Sequence, residues 1–430
     1  MVRASIPILW STSRHRLDVI IPHAYGLPLP FDEMPGMTAA TTRLARVAVP
    51  PIAQAGRWAA RYDGAHGPLV DCSQAVPNRP PPPELAARLA EAAGAPAQAR
   101  YGDILGDPAL RQAYAAHVST RYGTPIDAAE VAITSGCNQA FFATMVALAG
   151  AGDAVILPTP WYFNHQMTLE MLGIEPRPLP LDAAAGFLPD PDALEAMIDA
   201  RTRAIVLVSP NNPTGAVYPD ALLARILAIA ARAGVTLVLD ETYRDFLEDD
   251  ARPHTLFAAP EAKDHLVALY SFSKSYAIPG HRVGALIAAA ALMADIEKVI
   301  DCIQICAPRP AQAALPWAIE ALGAYRRASA AAIAERAGAF REAFAGLAGW
   351  RIRQIGAYFA FVEHPFAGTL SAVVAERLAR EFGIVTLPGS FFGPGQERFL
   401  RIAFANVEAP SIAEIARRLA LVPDALDAPA

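Results

Sequence analysis

The chain has 430 residues and a mass of 45.6 kDa, which is too long for a small disulfide-stapled scaffold and predicts about two to three domain-sized units. Hydrophobic residues make up 53% of the chain and charged residues 18%, a composition typical of a folded protein with a large core and not of a disordered chain. The 36 basic and 42 acidic residues give a net charge of −6, which argues against nucleic acid as a partner.

The hydropathy and the cysteines indicate a cytoplasmic protein outside the membrane. The longest apolar run, from Val283 to Ala294, stops at Asp295, well short of the roughly 18 to 20 residues that a membrane-spanning helix needs. The four cysteines form no Cys-x-x-Cys pair: Cys72, Cys137, Cys302 and Cys306. Reduced thiols and a cytoplasmic location are therefore expected.

The first 36 residues show no sustained hydrophobic periodicity. They predict either a disordered tail or a translation start assigned too early, with Met34 or Met37 as the favoured start. For the remainder we expect a small domain built from residues 37–95 and 320–430, and a large cofactor-binding domain at 96–319.

Short runs rich in valine, isoleucine and leucine alternate with helical patterns between residues 100 and 290. The predicted strands are Val131–Thr134, Ala154–Leu157, Ala204–Val208, Val235–Leu239, Leu266–Ser271 and Val283–Ala288. Helices are predicted between them, including Asn138–Ala149 and Pro219–Ala233, the second closed by Gly234. Continuous apolar strands suit a mostly parallel sheet that helices cover on both faces, with a ligand site at the carboxyl ends of the strands.

The last hundred residues have a different pattern. They predict a long helical stretch at Ala311–Ala345, strands at Gly356–Glu363 and Phe399–Phe404, a helix at Leu370–Phe382 and a final helix opened by a Ser411/Glu414 capping box. This pattern indicates a second, smaller α+β domain.

A lysine follows one of the predicted buried strands. Lys274 lies in Ser271-Phe-Ser-Lys274, directly after the strand that begins at Leu266. Partial burial lowers the pKa of a lysine and lets it form a Schiff base with a carbonyl. The alternative is an ordinary surface lysine on a loop.

Polar residues follow two neighbouring strands. Asp240 and Tyr243 come after the Val235–Leu239 strand, and a carboxylate there suits a protonated pyridine nitrogen, whereas an N-cap aspartate with a packing tyrosine is the simpler alternative. Asn212 lies in Pro-Asn-Asn212-Pro-Thr-Gly, whose prolines and glycine predict a turn that points the amide inward. This string is the most specific motif of the chain.

A phosphate-binding turn is predicted at Thr134-Ser-Gly136-Cys137-Asn138, where a strand passes into a helix. Backbone N–H groups at a helix start bind anions, and Gly136 permits close approach. Arg282 is eight residues beyond Lys274 and suits a bidentate phosphate contact. A simple glycine turn is the alternative.

In this order the motifs resemble those of the fold-type I pyridoxal-phosphate enzymes, specifically the class I/II aminotransferases, over about residues 70–421. The resemblance implies a large domain with a mainly parallel seven-stranded sheet sandwiched by helices, and a smaller α+β domain built from both chain ends. It implies pyridoxal 5'-phosphate as the cofactor, and no metal-ligand cluster in the sequence competes with it. Lys274 matches the Schiff-base lysine, Asp240 the partner of the pyridine nitrogen, and Asn212 and Tyr243 the partners of the ring phenolate.

The resemblance assigns the cofactor phosphate to Gly136, Cys137, Asn138, Ser271 and Arg282. Tyr162 matches the aromatic residue that stacks on the cofactor ring and is preferred to Trp161. His165 falls where some members have a histidine behind the aspartate, although a lone histidine is more often structural.

Three further positions concern the substrate and a second subunit. Arg401 resembles the arginine that binds the substrate α-carboxylate. Tyr101 resembles the tyrosine that reaches the cofactor phosphate of the neighbouring subunit, which implies a homodimer with shared active sites. The chain departs from the family pattern at Ala75, where many relatives have a glycine facing the substrate carboxylate, and at Cys137, where alanine or serine is common.

The resemblance implies ping-pong transamination between an amino acid and a 2-oxo acid. Lys274 moves the α-proton as general base and acid, while Asp240 and Tyr243 support the ring. A carbon–sulfur β-lyase or a cyclopropane-forming synthase would use nearly the same residues, and a non-catalytic effector-binding module is a third alternative. Because Asn138 and its neighbours offer no second cation, we expect an apolar, aromatic or sulfur-containing donor.

Overall fold

The computed structural model describes residues 44–247 and 252–423. Contacts separate residues 1–45 from 46–430, and the elements below belong to the second group. The prediction for residues 1–36 lies outside the described residues.

The strands and helices are numbered in chain order. The strands are β1 (Val70–Asp71), β2 (Val131–Thr134), β3 (Ala154–Thr159), β4 (Glu175–Pro180), β5 (Thr202–Val208), β6 (Thr236–Asp240), β7 (Leu266–Ser271), β8 (Gly284–Ile287), β9 (Arg351–Gly356), β10 (Phe359–Glu363), β11 (Ile384–Val385), β12 (Leu387–Pro388) and β13 (Phe399–Ile402). The helices are α1 (Pro51–Ala59), α2 (Pro83–Gly94), α3 (Pro108–Tyr122), α4 (Cys137–Leu148), α5 (Phe163–Leu172), α6 (Pro191–Ala196), α7 (Asp220–Ala233), α8 (Ala262–His265), α9 (Phe272–Ser275), α10 (Ala290–Gln304), α11 (Arg309–Ala321), α12 (Gly323–Phe344), α13 (Ser371–Phe382) and α14 (Ala409–Leu419).

Seven strands form the large sheet in the order β2-β8-β7-β6-β5-β3-β4. All pairs are parallel except those of β8, which runs antiparallel to β2 and β7. Alternate side chains enter cores on opposite faces: Tyr270 packs in the core that contains α3 and α11 residues, and Leu269 in the core that contains α4 and α10 residues. Helices therefore cover both faces, as the sequence predicts.

Strand β4 is absent from the sequence prediction. Its sequence, Glu-Pro-Arg-Pro-Leu-Pro, holds three prolines and breaks the apolar pattern expected of a buried strand. It lies at the edge of the sheet beyond β3, where a missing N–H on the outer side costs no ladder hydrogen bond.

The smaller sheet is antiparallel, in the order β12-β13-β10-β9. A separate parallel pair joins β1, near the start of the described chain, to β11. Residues before and after the strands of the large sheet therefore both contribute strands outside it. With their helices these strands form an α+β arrangement, as expected.

The predicted helical stretch 311–345 is helical in two segments, because Leu322 leaves the helical conformation and Gly323 starts α12. Two local predictions were wrong. The single strand predicted from Gly356 is a hairpin, β9 and β10, that turns at Ala357. The Ser411/Glu414 capping box does not form, because α14 begins at Ala409 and Ser411 lies within its first turn.

No helix among the described residues is long and apolar enough to cross a bilayer.

Candidate active site

A cavity of about 360 Å³ lies at the carboxyl ends of β5, β6 and β7, where a mostly parallel sheet is expected to bind its ligand. Its walls contain eleven of the thirteen predicted site residues: Ala75, Cys137, Asn138, Tyr162, Asn212, Asp240, Tyr243, Ser271, Lys274, Arg282 and Arg401. Residues that are 326 positions apart in the chain thus meet in one space.

Lys274 lies in the single turn of α9, directly after β7. Its Nζ donates a hydrogen bond to the Ala75 carbonyl. Burial, with smaller contributions from the cations Arg282 and Arg401, lowers its pKa from 10.5 to about 8. A substantial fraction of this amine is neutral near pH 8, which nucleophilic attack on an aldehyde requires.

Asp240 is the last residue of β6 and is buried beside His165, whose Nε2 lies 3.3 Å from Asp240 Oδ2. The Thr242 backbone N–H donates to Asp240 Oδ1 at 2.9 Å. Burial raises the pKa of this carboxyl, but the contacts with His165 and Thr242 outweigh it and hold the pKa below its usual value. Asp240 is therefore an anion at neutral pH and can hold a protonated ring nitrogen.

The turn before α4 forms a cradle. Gly136 is the N-cap of this twelve-residue helix, with φ of 82°, a conformation that favours glycine. A Cβ on Gly136 would lie 2.2 Å from Arg282 Nη2, and a Cβ on Gly284 would meet the Gly136 carbonyl carbon at 2.5 Å. Only glycines leave room here, and the space lies between the N-terminus of α4 and a guanidinium, which suits a phosphate.

Arg401, on β13, is buried and carries an unsatisfied donor. Nη1 donates to Asn212 Oδ1 at 3.1 Å and Nη2 donates to the Ser73 carbonyl, whereas Nε is buried with no hydrogen-bond partner among the described residues. Burial lowers its pKa to about 10, against the opposing effect of Tyr243 and Tyr162. The group remains a cation at neutral pH and can bind a carboxylate.

The side-chain amide of Asn212 is oriented by Arg401. Because Oδ1 accepts from the guanidinium, the Nδ2 group is the donor that remains for a ligand oxygen. Tyr243 lines the same wall, and burial raises the pKa of its phenol well above 10. It is therefore a neutral hydroxyl and can also donate.

The structure distinguishes Tyr162 from Trp161. Tyr162 lines the cavity, and its hydroxyl accepts from Asn164 Nδ2 at 2.8 Å, whereas Trp161 lines a neighbouring groove with Phe391. Burial raises the pKa of Tyr162 to about 12. The ring of His165 stacks on Phe141 at 3.9 Å, which fixes it behind Asp240.

Two predicted site residues stand apart from the cavity lining. Gly136 contributes through its backbone at the edge of the cradle. Tyr101 is 75% exposed and does not line the cavity of its own chain.

Several lining residues were not singled out from the sequence. Four of them each adjoin a residue that was singled out: Gln74, Asn164, Thr242 and Ser273. A position next to a motif residue is therefore the signal that could have found them. The segment 50–52 also reaches the cavity, and nothing in its local sequence indicates this, because only the tertiary fold brings it there.

The set of donors fits pyridoxal phosphate. The cradle at Gly136 suits the phosphate, Asp240 the pyridine nitrogen, Asn212 and Tyr243 the ring oxygen, and Lys274 the aldehyde. No group of three or more histidine, cysteine, aspartate or glutamate side chains within the described ranges is arranged to hold a metal ion.

Comparisons with known proteins agree with this fit. The family model described as aminotransferase class I and II matches residues 71–419. The arginine–pyruvate transaminase of Pseudomonas aeruginosa is 32% identical over 324 residues, which cover 75% of this chain and 81% of that protein. The valine–pyruvate aminotransferase of Mycobacterium tuberculosis is 30% identical and covers 88% of this chain and 98% of its own length.

Solved structures show the same fold. A single mutant of the aspartate aminotransferase of Thermus thermophilus superposes with a TM-score of 0.82 at 25% identity, covering 90% of this chain and all of that one. The cavity, its donors and these matches lead to one conclusion: the chain belongs to the class I and II aminotransferases, pyridoxal-phosphate-dependent enzymes that move an amino group from an amino acid to a 2-oxo acid.

Proposed function

We propose that this aminotransferase prefers L-amino acid donors with uncharged side chains: apolar, aromatic or sulfur-containing. The observation that carries this proposal is the charge of the cavity. Its described lining includes three cations, Lys274, Arg282 and Arg401, and one acid, Asp240. Each has a task at the cofactor or at the α-carboxylate, so none remains for a charged substrate side chain.

The rest of the lining supports the same preference. The segment 50–52 is Pro-Pro-Ile, and Phe163 and Val208 add apolar surface. Burying an apolar side chain against such surface is favourable. Burying an unpaired carboxylate or guanidinium instead carries a desolvation penalty on the order of several kcal/mol. Aspartate and arginine are therefore expected to be poor donors, although some relatives are named for them.

The site residues are proposed to act as follows. Bound pyridoxal phosphate supplies a protonated ring that withdraws electrons from the substrate α-carbon. Arg401 binds the α-carboxylate, Asp240 keeps the ring nitrogen protonated, and Asn212 and Tyr243 donate to the ring oxygen. Lys274 Nζ takes the proton from the substrate α-carbon and delivers it to the cofactor carbon. The lowered pKa of Lys274 permits this transfer at neutral pH.

We also propose that two copies form a homodimer with shared sites, working in the cytoplasm. Tyr101 is exposed on its own chain, as expected of a side chain that reaches a neighbouring cofactor. The next residue, Gly102, contacts Cys306, and Gln304 accepts from Ser135 in the phosphate turn at 2.8 Å, so this surface borders the cradle. All four cysteines are free thiols, consistent with a reducing compartment.

A donor screen tests the substrate proposal. The enzyme is incubated with pyruvate and equal concentrations of methionine, leucine, phenylalanine, aspartate or arginine, and the product oxo acids are measured. Methionine, leucine or phenylalanine should exceed aspartate and arginine by at least about tenfold in kcat/KM. Aspartate or arginine as the best donor would overturn the preference.

A further inference from the structure

Asn406 lies in the short helical turn Phe404–Asn406 that follows β13, outside the described lining of the catalytic cavity. Its side chain binds the backbone on both sides of Ala75. Nδ2 donates a hydrogen bond to the Gln74 carbonyl, and Oδ1 accepts one from the Val76 N–H at 2.9 Å. One side-chain amide therefore holds two successive peptide groups of the segment that follows β1.

The peptide group between Ala75 and Val76 connects Asn406 to Lys274. In a trans peptide group the N–H and the C=O lie in one plane and point in opposite directions. The Val76 N–H donates to Asn406 Oδ1 on one side, and the Ala75 carbonyl accepts from Lys274 Nζ on the other. Asn406 therefore fixes the direction of the carbonyl that the lysine amine contacts.

The same contact strengthens that carbonyl as an acceptor. Hydrogen bonds in a chain polarise one another, so an N–H that donates leaves more negative charge on the oxygen of its own peptide group. Such an oxygen binds an ammonium more strongly than a neutral amine, because charged donors form the stronger hydrogen bonds. Asn406 is therefore expected to favour the protonated form of Lys274, in opposition to burial, which favours the neutral form.

The segment also has contacts before and after the residues that Asn406 binds. The Ala403 N–H donates to the Cys72 carbonyl at 3.0 Å, and Arg336 Nη1 donates to Asn78 Oδ1 at 2.9 Å. These contacts do not depend on the side chain of Asn406. Its removal is therefore expected to loosen the peptide group at Ala75 while the segment as a whole stays attached.

We propose that Asn406 is a positioning residue for the reaction: through the peptide group between Ala75 and Val76, it directs a polarised carbonyl at the Lys274 amine whenever that amine is free. The proposal rests on the role proposed above for Lys274 as the lysine that carries the cofactor. It assigns a function to a side chain outside the cavity, which reaches the lysine only through backbone atoms.

Cofactor uptake by the full chain tests the proposal. Pyridoxal phosphate is added to cofactor-free enzyme between about pH 6 and 10, the covalent adduct is reduced with borohydride at timed intervals, and mass spectrometry measures its amount and position. Only the unprotonated amine attacks the aldehyde, so the pH midpoint of the rate reports the pKa of the lysine. Peptide mapping distinguishes Lys274 from the other two lysines of the sequence, Lys263 and Lys298.

In Asn406→Ala we expect the midpoint to fall by about half a pH unit or more, because the weakened acceptor no longer favours the protonated amine. Asn406→Ser keeps one short hydrogen-bonding group and should show a smaller fall. Asn78→Ala is the matched control, since it also removes an asparagine that binds in this segment. Its midpoint should stay within about 0.2 pH unit of the wild type.

The variants leave the charges around the lysine unchanged. Asparagine is uncharged, and the same titratable groups face the Lys274 amine in every variant: Cys137, Tyr162, Asp240, Tyr243, Arg282 and Arg401. An unchanged or raised midpoint in Asn406→Ala, or an equal fall in Asn78→Ala, would overturn the proposal. An adduct on Lys263 or Lys298 in place of Lys274 would overturn the role proposed for Lys274 itself, and this inference with it.

Discussion

The pKa of a single residue depends on its burial and on its neighbouring groups, and these two effects can either add or oppose each other. For Lys274, burial and the nearby cations act in the same direction and both favour the neutral amine. For Asp240, burial favours the neutral acid, but His165 and Thr242 reverse the outcome. The site therefore places a partly neutral amine and an ionised carboxylate in one cavity at the same pH.

The lowered pKa of Lys274 predicts how cofactor-free enzyme regains pyridoxal phosphate. Because the attacking amine must be unprotonated, the rate at which the visible absorption band appears should rise with pH through about 8 and then level off. Stopped-flow mixing between pH 6 and 10 measures this profile. Arg401→Gln, which removes one of the cations, should move the midpoint to higher pH. A rate that still climbs steadily up to pH 10 would contradict the prediction.

At the scale of elements, the site depends on hydrogen bonds that connect the ends of neighbouring strands. Asp245, in the segment after β6, accepts hydrogen bonds from Tyr270 near the end of β7 and from Ser275 in the helical turn that follows β7. Tyr270 precedes the Lys274 turn and Ser275 follows the lysine directly. One partly buried carboxylate thus holds side chains on both sides of Lys274, the residue proposed to carry the cofactor.

Substitution Asp245→Asn should therefore disturb the position of Lys274 while leaving the ligand-binding residues intact. Both hydroxyls donate to the same oxygen, Oδ2, and the amide oxygen of asparagine can take its place, so the substitution keeps the acceptor but removes the negative charge that strengthens both hydrogen bonds. We expect kcat to fall about tenfold, KM to change by less than about twofold, and the pH midpoint of the lysine-bound absorption band to shift. Ser275→Ala is the matched variant and should show a smaller effect in the same direction. A fall in stability with unchanged kcat would assign Asp245 a purely structural role.

At the scale of the whole molecule, the two sheets meet at a pair of glycines. The turn after β5 contains Gly215, which packs directly on Gly356 at the end of β9. A Cβ on Gly215 would lie 2.3 Å from the Gly356 backbone nitrogen, and Gly215 has φ of 81°. The same turn carries Asn212, so this contact holds the turn that contains Asn212 against the smaller sheet.

Gly215→Ala should therefore destabilise the protein by about 2 kcal/mol or more, because neither backbone segment can yield and the conformation is strained for alanine. Gly338→Ala is the control, since a Cβ there has no neighbour within 4 Å and alanine in a helix gains about 0.5–1 kcal/mol over glycine. Urea denaturation measures both free energies of unfolding. Equal stabilities for the two variants would contradict this account.

The outer limits of the two domains, at about residues 95 and 320, remain a prediction. The sheets are established, but α11 and α12 continue from one region into the other with only Leu322 between them.

The sequence by itself was sufficient for the six apolar strands, the turn that holds Asn212, and the lysine after β7, because each is specified by neighbouring residues. It was insufficient for β4, whose prolines are tolerated only because that strand lies at the edge. It also could not place the segment 50–52 in the cavity or orient Asn212 through Arg401. These features depend on contacts between distant parts of the chain, and local residue patterns carry no information on such contacts until the sheets and helices have packed.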